Sequence, residues 1–256
     1  MPEFDPKTPS IARVYDYVLG GKDNFAADRE LADRLLTLVP LIADLAAENR
    51  QFLARAVTWA ANQGIRQFID LGCGLPTAPN THESAQAVTG DARVVYVDND
   101  PVVISHLRAL LAKGNPYVSV LDADVRDVAA TLDGVRASLD LSAPVCLALG
   151  YLLHFFTADV ARDLAARYAA ALAPGSCLVL SVLHAGSEAA DESLGTYSSQ
   201  AAPVYSHPLP DIAGFFGPLE LVPPGLVGAR QWHPGLELSV LPSRDSQVIA
   251  GVARKQ

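Results

Sequence analysis

The sequence predicts an α/β fold in which helices cover both faces of a mostly parallel sheet. Short apolar runs of strand length alternate along the chain with longer segments of helical periodicity, and this alternation is typical of βαβ units. Several of these runs end directly at Asp or Gly, which favours a ligand site beyond the carboxyl ends of parallel strands. The 256 residues suffice for one large domain with an appendage.

The first predicted element is a long amphipathic helix over residues 41–62. Its apolar side chains recur at helical spacing, and Gly64 follows the run as a terminator. A short buried strand is predicted at residues 66–69, and it leads into the stretch Asp-Leu-Gly-Cys-Gly at 70–74. A strand that runs into two glycines predicts a tight turn that a ligand can approach.

A βαβ unit follows this turn. Asn80 is a good N-cap and Glu83 stands where a capping-box carboxylate belongs, so a helix is predicted after residue 80. The second strand is predicted at residues 94–97. Asp100 then caps a further helix that has Pro101 as its first residue.

The rest of the chain continues the alternation. Apolar runs predict three more strands, at residues 117–121, 144–149 and 177–183. A helix is predicted at residues 159–172, and Pro174-Gly175 ends it. Two strands at residues 237–241 and 247–253 are expected to form a closing hairpin.

Composition and charge argue against several classes of function. The net charge of −9 has no local Lys/Arg cluster to offset it, so we do not expect nucleic acid as a substrate. No apolar run approaches the roughly 20 residues of a membrane span, and residues 1–10 lack the layout of a signal peptide. We therefore expect a cytoplasmic protein without membrane contact. The three cysteines form no paired motif, and with the scattered histidines they predict no metal site.

Glycines and acidic residues fall at the predicted strand ends. Gly72 and Gly74 let the backbone turn and approach a ligand without a Cβ. Asp98 ends the second strand 24 positions after Gly74, where a carboxylate can accept both hydroxyls of a ribose. Asp124 follows the third strand, and it either orients an adenine or fixes its own loop. Asp100 is interpreted as a helix cap only.

The glycine-rich turn does not fit a dinucleotide. The NAD fingerprint needs glycine or alanine at position 77, where this chain has Thr77. Pro76 and Pro79 also delay the helix whose N-terminus would bind pyrophosphate. A cofactor with ribose and adenine but no phosphate fits better, and S-adenosylmethionine (SAM) is such a cofactor.

Three stretches of the chain also resemble a known family. They are Pro-Ser-Ile-Ala-Arg-Val-Tyr-Asp-Tyr-Val-Leu-Gly-Gly-Lys-Asp-Asn-Phe at 9–25, Asp-Leu-Gly-Cys-Gly-Leu-Pro-Thr at 70–77 and Val-Val-Tyr-Val-Asp-Asn-Asp-Pro at 94–101. Through them, and over residues 9–255, the chain resembles a bacterial S-adenosyl methyltransferase family within the class I SAM-dependent methyltransferases.

The resemblance implies a Rossmann-like sheet of seven strands with an antiparallel last strand. It also implies a SAM-binding domain of residues 41–256 and a helical N-terminal extension, residues 1–40, folded over the SAM pocket. The cofactor-binding residues that we predict are Asp70, Gly72, Gly74, Asp98, Asn99, Asp124 and Val125, with Tyr15, Lys22 and Asn24 of the extension.

Two interpretations of the extension stay open. In the first, residues 20–21 are a glycine hinge of a lid, and Lys22 or Asn24 contacts the SAM carboxylate. In the second, the same residues only link two helices, and Asn24 is a cap.

His154, just after the fourth predicted strand, is the candidate catalytic residue. An imidazole there can take a proton from a hydroxyl or amine as the methyl group arrives, although alignment provides most of the acceleration of such a displacement. The alternative is a histidine that only hydrogen-bonds its loop. The predicted substrate-binding residues are His82, Tyr151, Phe155, His184 and Tyr197.

The leading hypothesis is a SAM-dependent methyltransferase that acts on a small, largely apolar metabolite and releases S-adenosylhomocysteine (SAH). One alternative is a SAM-binding enzyme that transfers no methyl group, such as a cyclase or isomerase, and another is a non-catalytic SAM-binding regulator, because a fold alone does not establish function. We expect a monomer or homodimer. The sequence does not indicate which acceptor or which atom is methylated.

Overall fold

The structure is a computed structural model, and it describes residues 5–184, 203–234 and 247–256. Its centre is a single mixed sheet. The strands are β1 (Gln67–Leu71), β2 (Arg93–Asp98), β3 (Val118–Asp122), β4 (Val145–Gly150), β5 (Cys177–Leu183), β6 (Glu220–Leu221), β7 (Val227–Gly228) and β8 (Val248–Arg254). They lie in the order β3-β2-β1-β4-β5-β8-β6, and β7 pairs with β8 beside this path.

The register of the sheet brings three strand ends together. Strands β1 to β5 are parallel, and Asp70 in β1 is paired with Tyr96 in β2 and with Ala148 in β4. The loops after β1, β2 and β4 therefore leave the sheet side by side. The strand order reverses between β1 and β4, and such a switch point is where open parallel sheets bind ligands.

The predicted sheet is confirmed in its main features, including the antiparallel last strand. That strand is β8, which pairs with β5 along its whole length. The described residues form eight strands, two of which were not predicted: β6 and β7 have two residues each, and both pair with β8. A strand of two residues leaves no apolar run in the sequence, so pattern analysis missed both. The predicted strand at 237–241 lies outside the described residues.

Helices cover both faces of this sheet. They are α1 (Ile11–Val18), α2 (Ala26–Leu38), α3 (Ile42–Asn62), α4 (Thr81–Gln86), α5 (Pro101–His106) with a π-helical continuation (Leu107–Ala112), α6 (Val128–Val135), α7 (Ala158–Ala170) and α8 (Leu209–Gly214), with 3-10 turns at Leu153–Phe155 and Ala229–Gln231. None of the described helices is long and apolar enough to cross a membrane.

Two apolar clusters form the core, one on each face of the sheet. Successive strand residues point to opposite faces, so Phe68 packs in the cluster under α3, α4 and α5. Its neighbour Ile69 packs in the cluster under α6, α7 and α8. Both side chains are buried, so β1 is covered on both sides, as expected of a central parallel strand.

Helices α1 and α2 form a smaller unit that packs on the start of α3. They share a third apolar cluster, which includes Val14, Leu31 and Leu35. A buried ion pair joins the two helices, with 3.0 Å between Arg13 Nε and Asp28 Oδ2. Because both charged side chains are almost fully enclosed, removing either partner would leave a buried, uncompensated charge.

The predicted helix caps are confirmed. Glu83 Oε2 accepts a hydrogen bond of 2.6 Å from the Asn80 backbone amide, which completes the capping box of α4. Asp100 Oδ1 accepts one of 2.8 Å from the Val102 amide at the start of α5. These local contacts fix where the helices begin, and so they fix the lengths of the preceding loops.

Candidate active site

A cavity of about 690 Å³ lies beyond the carboxyl ends of β1, β2, β4 and β5. Residues of α1, α2 and the first half of α3 form the opposite wall. The cavity therefore occupies the switch point of the sheet, and its volume is within the range of roughly 300 to 1,000 Å³ that is usual for small-molecule sites.

The polar part of the cavity, as we name it, is formed by Arg50, Asp70, Gly72, Gly74, Asp98, Asn99 and Asp100. Asp98 is held by backbone amides: its Oδ2 accepts from Gly74 at 3.0 Å, and its Oδ1 accepts from Asn99 at 2.9 Å and from Asp100 at 3.0 Å. Burial raises the pKa of Asp98 although these hydrogen bonds lower it. These bonds thus hold the Asp98 carboxylate in place at the wall of the cavity.

The two glycines of the β1 loop serve different purposes. Both adopt positive φ, +62° at Gly72 and +67° at Gly74, a conformation that favours glycine. A Cβ at Gly72 would lie 2.7 Å from Leu152 Cδ1, whereas a Cβ at Gly74 would meet nothing within 4 Å. Gly72 is therefore required for packing, and Gly74 lets the backbone border open cavity space.

Arg50 and Asp70 bring opposite charges to this loop. Arg50 Nη2 donates to the carbonyl oxygens of Thr77 at 2.6 Å and Pro79 at 3.2 Å, and its buried Nε has no hydrogen-bond partner among the described residues. Asp70 Oδ2 accepts a 2.5 Å hydrogen bond from Thr81 Oγ1. Burial raises the pKa of Asp70, and the nearby Arg50 lowers it.

The charges of the polar part are unbalanced. Among the described residues that line the cavity, Asp70, Asp98 and Asp100 carry carboxylates and Arg50 is the one Lys or Arg. Such a lining is complementary to a ligand that carries cationic groups together with one carboxylate.

A hydrogen bond joins the N-terminal segment to the polar part. Ser10 Oγ donates to Asp100 Oδ2 at 2.5 Å, while the other oxygen of Asp100 caps α5. The Ser10 amide donates to Asp28 Oδ1 at 2.9 Å. Asp100 is therefore more than the helix cap that the sequence predicts, because it also holds the segment before α1.

Four rings form what we call the aromatic wall of the cavity: Tyr15, Tyr151, His154 and Phe155. The His154 ring lies between two of them, with ring centroids 4.5 Å from Tyr151 and 4.3 Å from Phe155. The ring centroid of Tyr15 lies 5.8 Å from that of Tyr151. The wall thus joins α1 to the loop after β4.

His154 lies deep within this wall. Only 2% of the residue is exposed, and its Nδ1 has no hydrogen-bond partner among the described residues. Burial lowers the pKa of His154 to about 3, with a further lowering from nearby His207. The imidazole is therefore neutral at physiological pH. A general base works best with a pKa near the operating pH, so the burial of His154 does not favour that role.

A chain of hydrogen bonds supports the aromatic wall from behind. Asn49 Nδ2 donates to the Tyr15 hydroxyl at 3.0 Å, and Asn49 Oδ1 accepts from Ser181 Oγ at 2.6 Å. The Tyr151 amide in turn donates to Ser181 Oγ at 3.0 Å. These contacts fix the positions of α1, α3, β5 and the loop after β4 relative to one another.

The apolar part of the cavity, as we name it, consists of Val18, Leu35, Leu38, Val39, Leu41 and Ile42. These side chains come from α1, α2 and the connection into α3. Leu38 and Leu41 are 42% and 55% exposed, although both are large apolar residues. This part therefore has an apolar surface that reaches solvent.

Lys22 and Asn24 are not among the residues that line the cavity. Lys22 is exposed, and Asn24 Nδ2 donates to Asp16 Oδ2 at 2.9 Å. A Cβ at Gly21 would lie 2.0 Å from Asp16 Oδ1, so Gly21 is needed for close packing. These contacts favour the interpretation of this stretch as a linker between two helices, with Phe25 rather than Asn24 at the cap position of α2.

Asp124 lies beside the cavity, which is lined by its neighbours Ala123 and Val125. Its Oδ1 accepts from Arg126 Nε and from the Arg126 amide, both at 2.9 Å. The hydrogen bond from Arg126 lowers the pKa of Asp124, and one from the Asn99 side chain also contributes. Of the two predicted roles, these contacts favour the fixing of a loop.

The predicted substrate-binding residues are divided by the fold. Tyr151, Phe155 and His184 line the cavity, and His184 Nδ1 hydrogen-bonds the His207 carbonyl oxygen at 2.7 Å. His82 does not line it, because α4 places its Nδ1 2.9 Å from the hydroxyl of Tyr96 in the core. Tyr197 lies outside the described residues, so its role stays a prediction.

Comparisons with known proteins agree with this geometry. A model of a family described as S-adenosyl methyltransferase matches residues 1–256. A putative methyltransferase from Thermobifida fusca is 43% identical with a TM-score of 0.91, and the match covers 100% of this chain and 98% of that one. A DUF574 family protein from Streptomyces avermitilis is 36% identical with a TM-score of 0.90, and covers 98% and 99%.

The chain belongs to the S-adenosyl methyltransferase family. The predictions of a SAM-dependent methyltransferase and of SAM as its cofactor are thereby confirmed. An O-methyltransferase family protein from Burkholderia thailandensis shares the fold at 17% identity and a TM-score of 0.52, over 84% of this chain and 59% of that one. No protein of curated function matches the chain.

Besides the apolar part, polar residues of the methyltransferase cavity were not predicted from the sequence, among them Ser10, Asn49 and Arg50. Arg50 is inside a long amphipathic helix, where an arginine is usually a solvated side chain. Asn49, its neighbour, and Ser10 meet their partners only across 132 and 90 positions of sequence. One signal was available: Asn49 and Arg50 interrupt the apolar face of α3 between Leu45 and Phe52.

Proposed function

We propose that this methyltransferase binds SAM in the polar part of its cavity and methylates a small, largely apolar acceptor in the apolar part. The observation that carries the proposal is the division of one cavity into a carboxylate-rich region and an aliphatic region that reaches solvent. SAM, when bound, supplies a methyl group on a sulfonium, and the loss of that methyl leaves SAH.

The proposed ribose contact is Asp98. Three backbone amides orient its carboxylate, and a carboxylate with about four acceptor positions retains capacity for ribose hydroxyls. Asn99, Ala123 and Val125 would lie along the adenine, since they follow β2 and β3 and line the same cavity. Asp124 would act through Asn99, to which it is hydrogen-bonded.

The proposed contact for the SAM carboxylate is Arg50. It is the one Lys or Arg among the described lining residues, and its Nε has no hydrogen-bond partner there. Asp70 lies close enough to Arg50 for the two charges to interact, and it would serve the ammonium group. A guanidinium next to a carboxylate is thus matched to an amino acid, which carries both charges.

The chain's contribution to methyl transfer is the alignment of the two reactants. The acceptor would lie against Leu35, Leu38 and Ile42, and holding two reactants in line accounts for most of the acceleration of such a displacement. Neutral His154 is a weak proton acceptor with its pKa of about 3. We therefore assign it to the support of Tyr151 and Phe155, and the acceptor proton would leave to solvent.

We further propose that residues 1–40 act as a cover for this cavity and residues 41–256 as the SAM-binding domain. Support comes from α1 and α2, which supply Val14, Tyr15, Val18 and Leu35 to the cavity lining. They contact the sheet domain through the Ser10 to Asp100 hydrogen bond.

The experiment that tests the cofactor assignment is ligand binding to an Arg50→Ala variant. Saturating SAM should raise the melting temperature of the wild type by about 5 to 10 °C. Arg50→Ala should weaken SAM and SAH by roughly 10- to 100-fold, because a hydrogen-bonded charge is lost. It should leave 5′-methylthioadenosine, which lacks the amino acid, unchanged.

Arg55→Ala is the matched control. Arg55 is also on α3, does not line the cavity, and donates to two backbone carbonyls, those of Trp232 at 2.9 Å and Ala229 at 2.7 Å. It should reproduce any general loss of helix packing without a change in SAM affinity. Equal weakening of methylthioadenosine and SAM by Arg50→Ala would contradict the assignment.

The acceptor class is tested by SAH release. The enzyme is incubated with SAM and separate pools of small apolar phenols, carboxylic acids and amines. SAH should form with at least one pool of small molecules. SAH formation only when a protein or a nucleic acid is supplied would overturn the proposed acceptor class.

A further inference from the structure

The Tyr151 ring belongs to the aromatic wall of the cavity. Tyr151 directly follows β4, lines the cavity, and is half-buried. Its ring centroid lies 5.8 Å from that of Tyr15 and 4.5 Å from that of His154. Packing against these two rings fixes the orientation of the Tyr151 ring while part of it borders the cavity.

The backbone of Tyr151 is strained. Its φ is +57°, and among the described residues it is the one non-glycine at positive φ, a conformation that is unfavourable for a bulky side chain. Two hydrogen bonds of 3.0 Å, from the Tyr151 amide to Ser181 O and to Ser181 Oγ, maintain this conformation. A large ring at a position that favours glycine suggests a function for the ring.

The proposed cofactor contacts and Tyr151 lie at the same edge of the sheet and line the same cavity. Asp98 ends β2 and Arg50 is on α3, whereas Tyr151 follows β4, the strand next to β1 in the sheet. The loop after β1 lies close to the loop after β4: a Cβ at Gly72 would touch the Leu152 side chain. In SAM the sulfonium lies between the ribose and the amino acid, so it belongs between the groups that bind those two parts.

We propose that the Tyr151 ring holds the sulfonium of SAM by a cation–π interaction, so that the site distinguishes SAM from the neutral product SAH. This inference rests on the proposed function, since it needs SAM in the polar part of the cavity. A cation over the face of an aromatic ring is attracted by the ring quadrupole, and the attraction is strongest where water is excluded.

The surroundings of the ring suit this role. His154, in contact with the Tyr151 ring, is kept neutral because burial lowers its pKa to about 3, so it places no positive charge against the sulfonium. The carboxylates of Asp70 and Asp98 line the same cavity and favour a cation there. Loss of the methyl group removes that cation, which weakens binding of the product relative to SAM.

The test is the ratio of SAM to SAH affinity, measured by calorimetry in a series of variants. Tyr151→Phe keeps the ring and should leave the ratio within about 2-fold of the wild type. Tyr151→Leu, and Tyr151→Phe made with ring-fluorinated phenylalanines, should lower the ratio by about 5- to 30-fold. The fall should be stepwise with each added fluorine, because fluorination weakens the quadrupole and changes the shape little.

Phe155→Leu is the matched control, since Phe155 also lines the cavity and contacts His154, and the ratio should not change. If the ratio of SAM to SAH affinity does not change across the fluorinated series, the cation–π interaction is overturned, even if SAM and SAH both bind well. Failure of the wild type to bind either ligand would instead overturn the proposed function, so the two failures are distinguishable. The fluorinated series provides the result if Tyr151→Leu does not fold.

Discussion

The polar and apolar parts of the cavity differ in how they are built. In the polar part, directional hydrogen bonds fix the functional groups: Asp98 is held by the amides of Asn99 and Asp100 and by that of Gly74 in the adjacent loop. In the apolar part, side chains from three helices meet without directional bonds. The first part therefore tolerates few changes, whereas the second can change its shape without disturbing the first.

The largest effect should come from Asp98→Ala. Loss of charge-assisted hydrogen bonds to two hydroxyls should weaken SAM by at least about 100-fold, as measured by calorimetry. Asp98→Asn keeps an oxygen for the Gly74 amide and checks that the fold survives. Asp122→Ala is the control, because Asp122 is an exposed carboxylate at the end of the neighbouring strand. Unchanged SAM affinity in Asp98→Ala would refute the assignment of the polar part.

The next effect concerns the aromatic wall between the two parts. Burial lowers the pKa of His154 to about 3 in the folded protein, so the unfolded chain binds more protons between about pH 3 and 6.5. Stability should therefore rise with pH across this window. From pH 5 to pH 7 the contribution is roughly 2 kcal/mol of unfolding free energy, measured by urea denaturation.

His154→Phe removes the titrating group and keeps a ring between Tyr151 and Phe155. It should lose most of the contribution of His154. The remaining pH dependence would come from His82 and His207, whose pKa burial also lowers, and with opposite sign from Asp70 and Asp98, whose pKa burial raises. An equally steep pH dependence in His154→Phe would show that His154 does not contribute to it, and would contradict the lowered pKa of this residue.

A smaller effect tests the apolar part alone. The double change Leu38→Gln and Leu41→Gln should weaken binding of the apolar dye 1-anilinonaphthalene-8-sulfonate by about 5-fold, because apolar contact area is lost. The affinity for SAH should stay within 2-fold. Leu110→Gln is the control, since Leu110 is 61% exposed and does not line the cavity. Parallel loss of SAH binding would mean that the two parts are not independent.

A second difference, between contacts that are local in sequence and contacts across the fold, explains which residues could be predicted. Strand ends, glycines at positive φ and caps depend on residues a few positions apart, so Gly72, Gly74, Asp98 and Asp100 were found at their positions. Charge and hydrogen bonds across the fold have no local signal. That is why Arg50 was missed and why His82 was selected, although its ring bonds a buried tyrosine.

The N-terminal extension shows most clearly which features the sequence does not predict. Its residues 9–25 were recognised by resemblance, and its helical character is confirmed by α1 and α2. The role of each side chain depends on which surface the helices bury, and that is set by their cluster with α3. Tyr15 points into the cavity lining, whereas Lys22 is exposed, seven positions later.

The smallest effect should come from Ser10→Ala, which breaks the hydrogen bond between the extension and the polar part. Loss of the Ser10 Oγ to Asp100 contact should cost about 1 kcal/mol, and hydrogen exchange in α1 should rise with little change at the sheet. Ser10 also donates its amide to Asp28, and alanine keeps that bond, so the cover stays attached.

If the cover and the polar part are coupled through this contact, SAH should protect α1 from exchange in the wild type and protect it less in Ser10→Ala. Thr8→Ala is the control, because Thr8 Oγ1 donates to exposed Asp5 within the same segment. Equal protection of α1 in both proteins would mean that SAM binding and closure of the cover are linked through the aromatic wall alone, with Tyr15 rather than Ser10 as the connection.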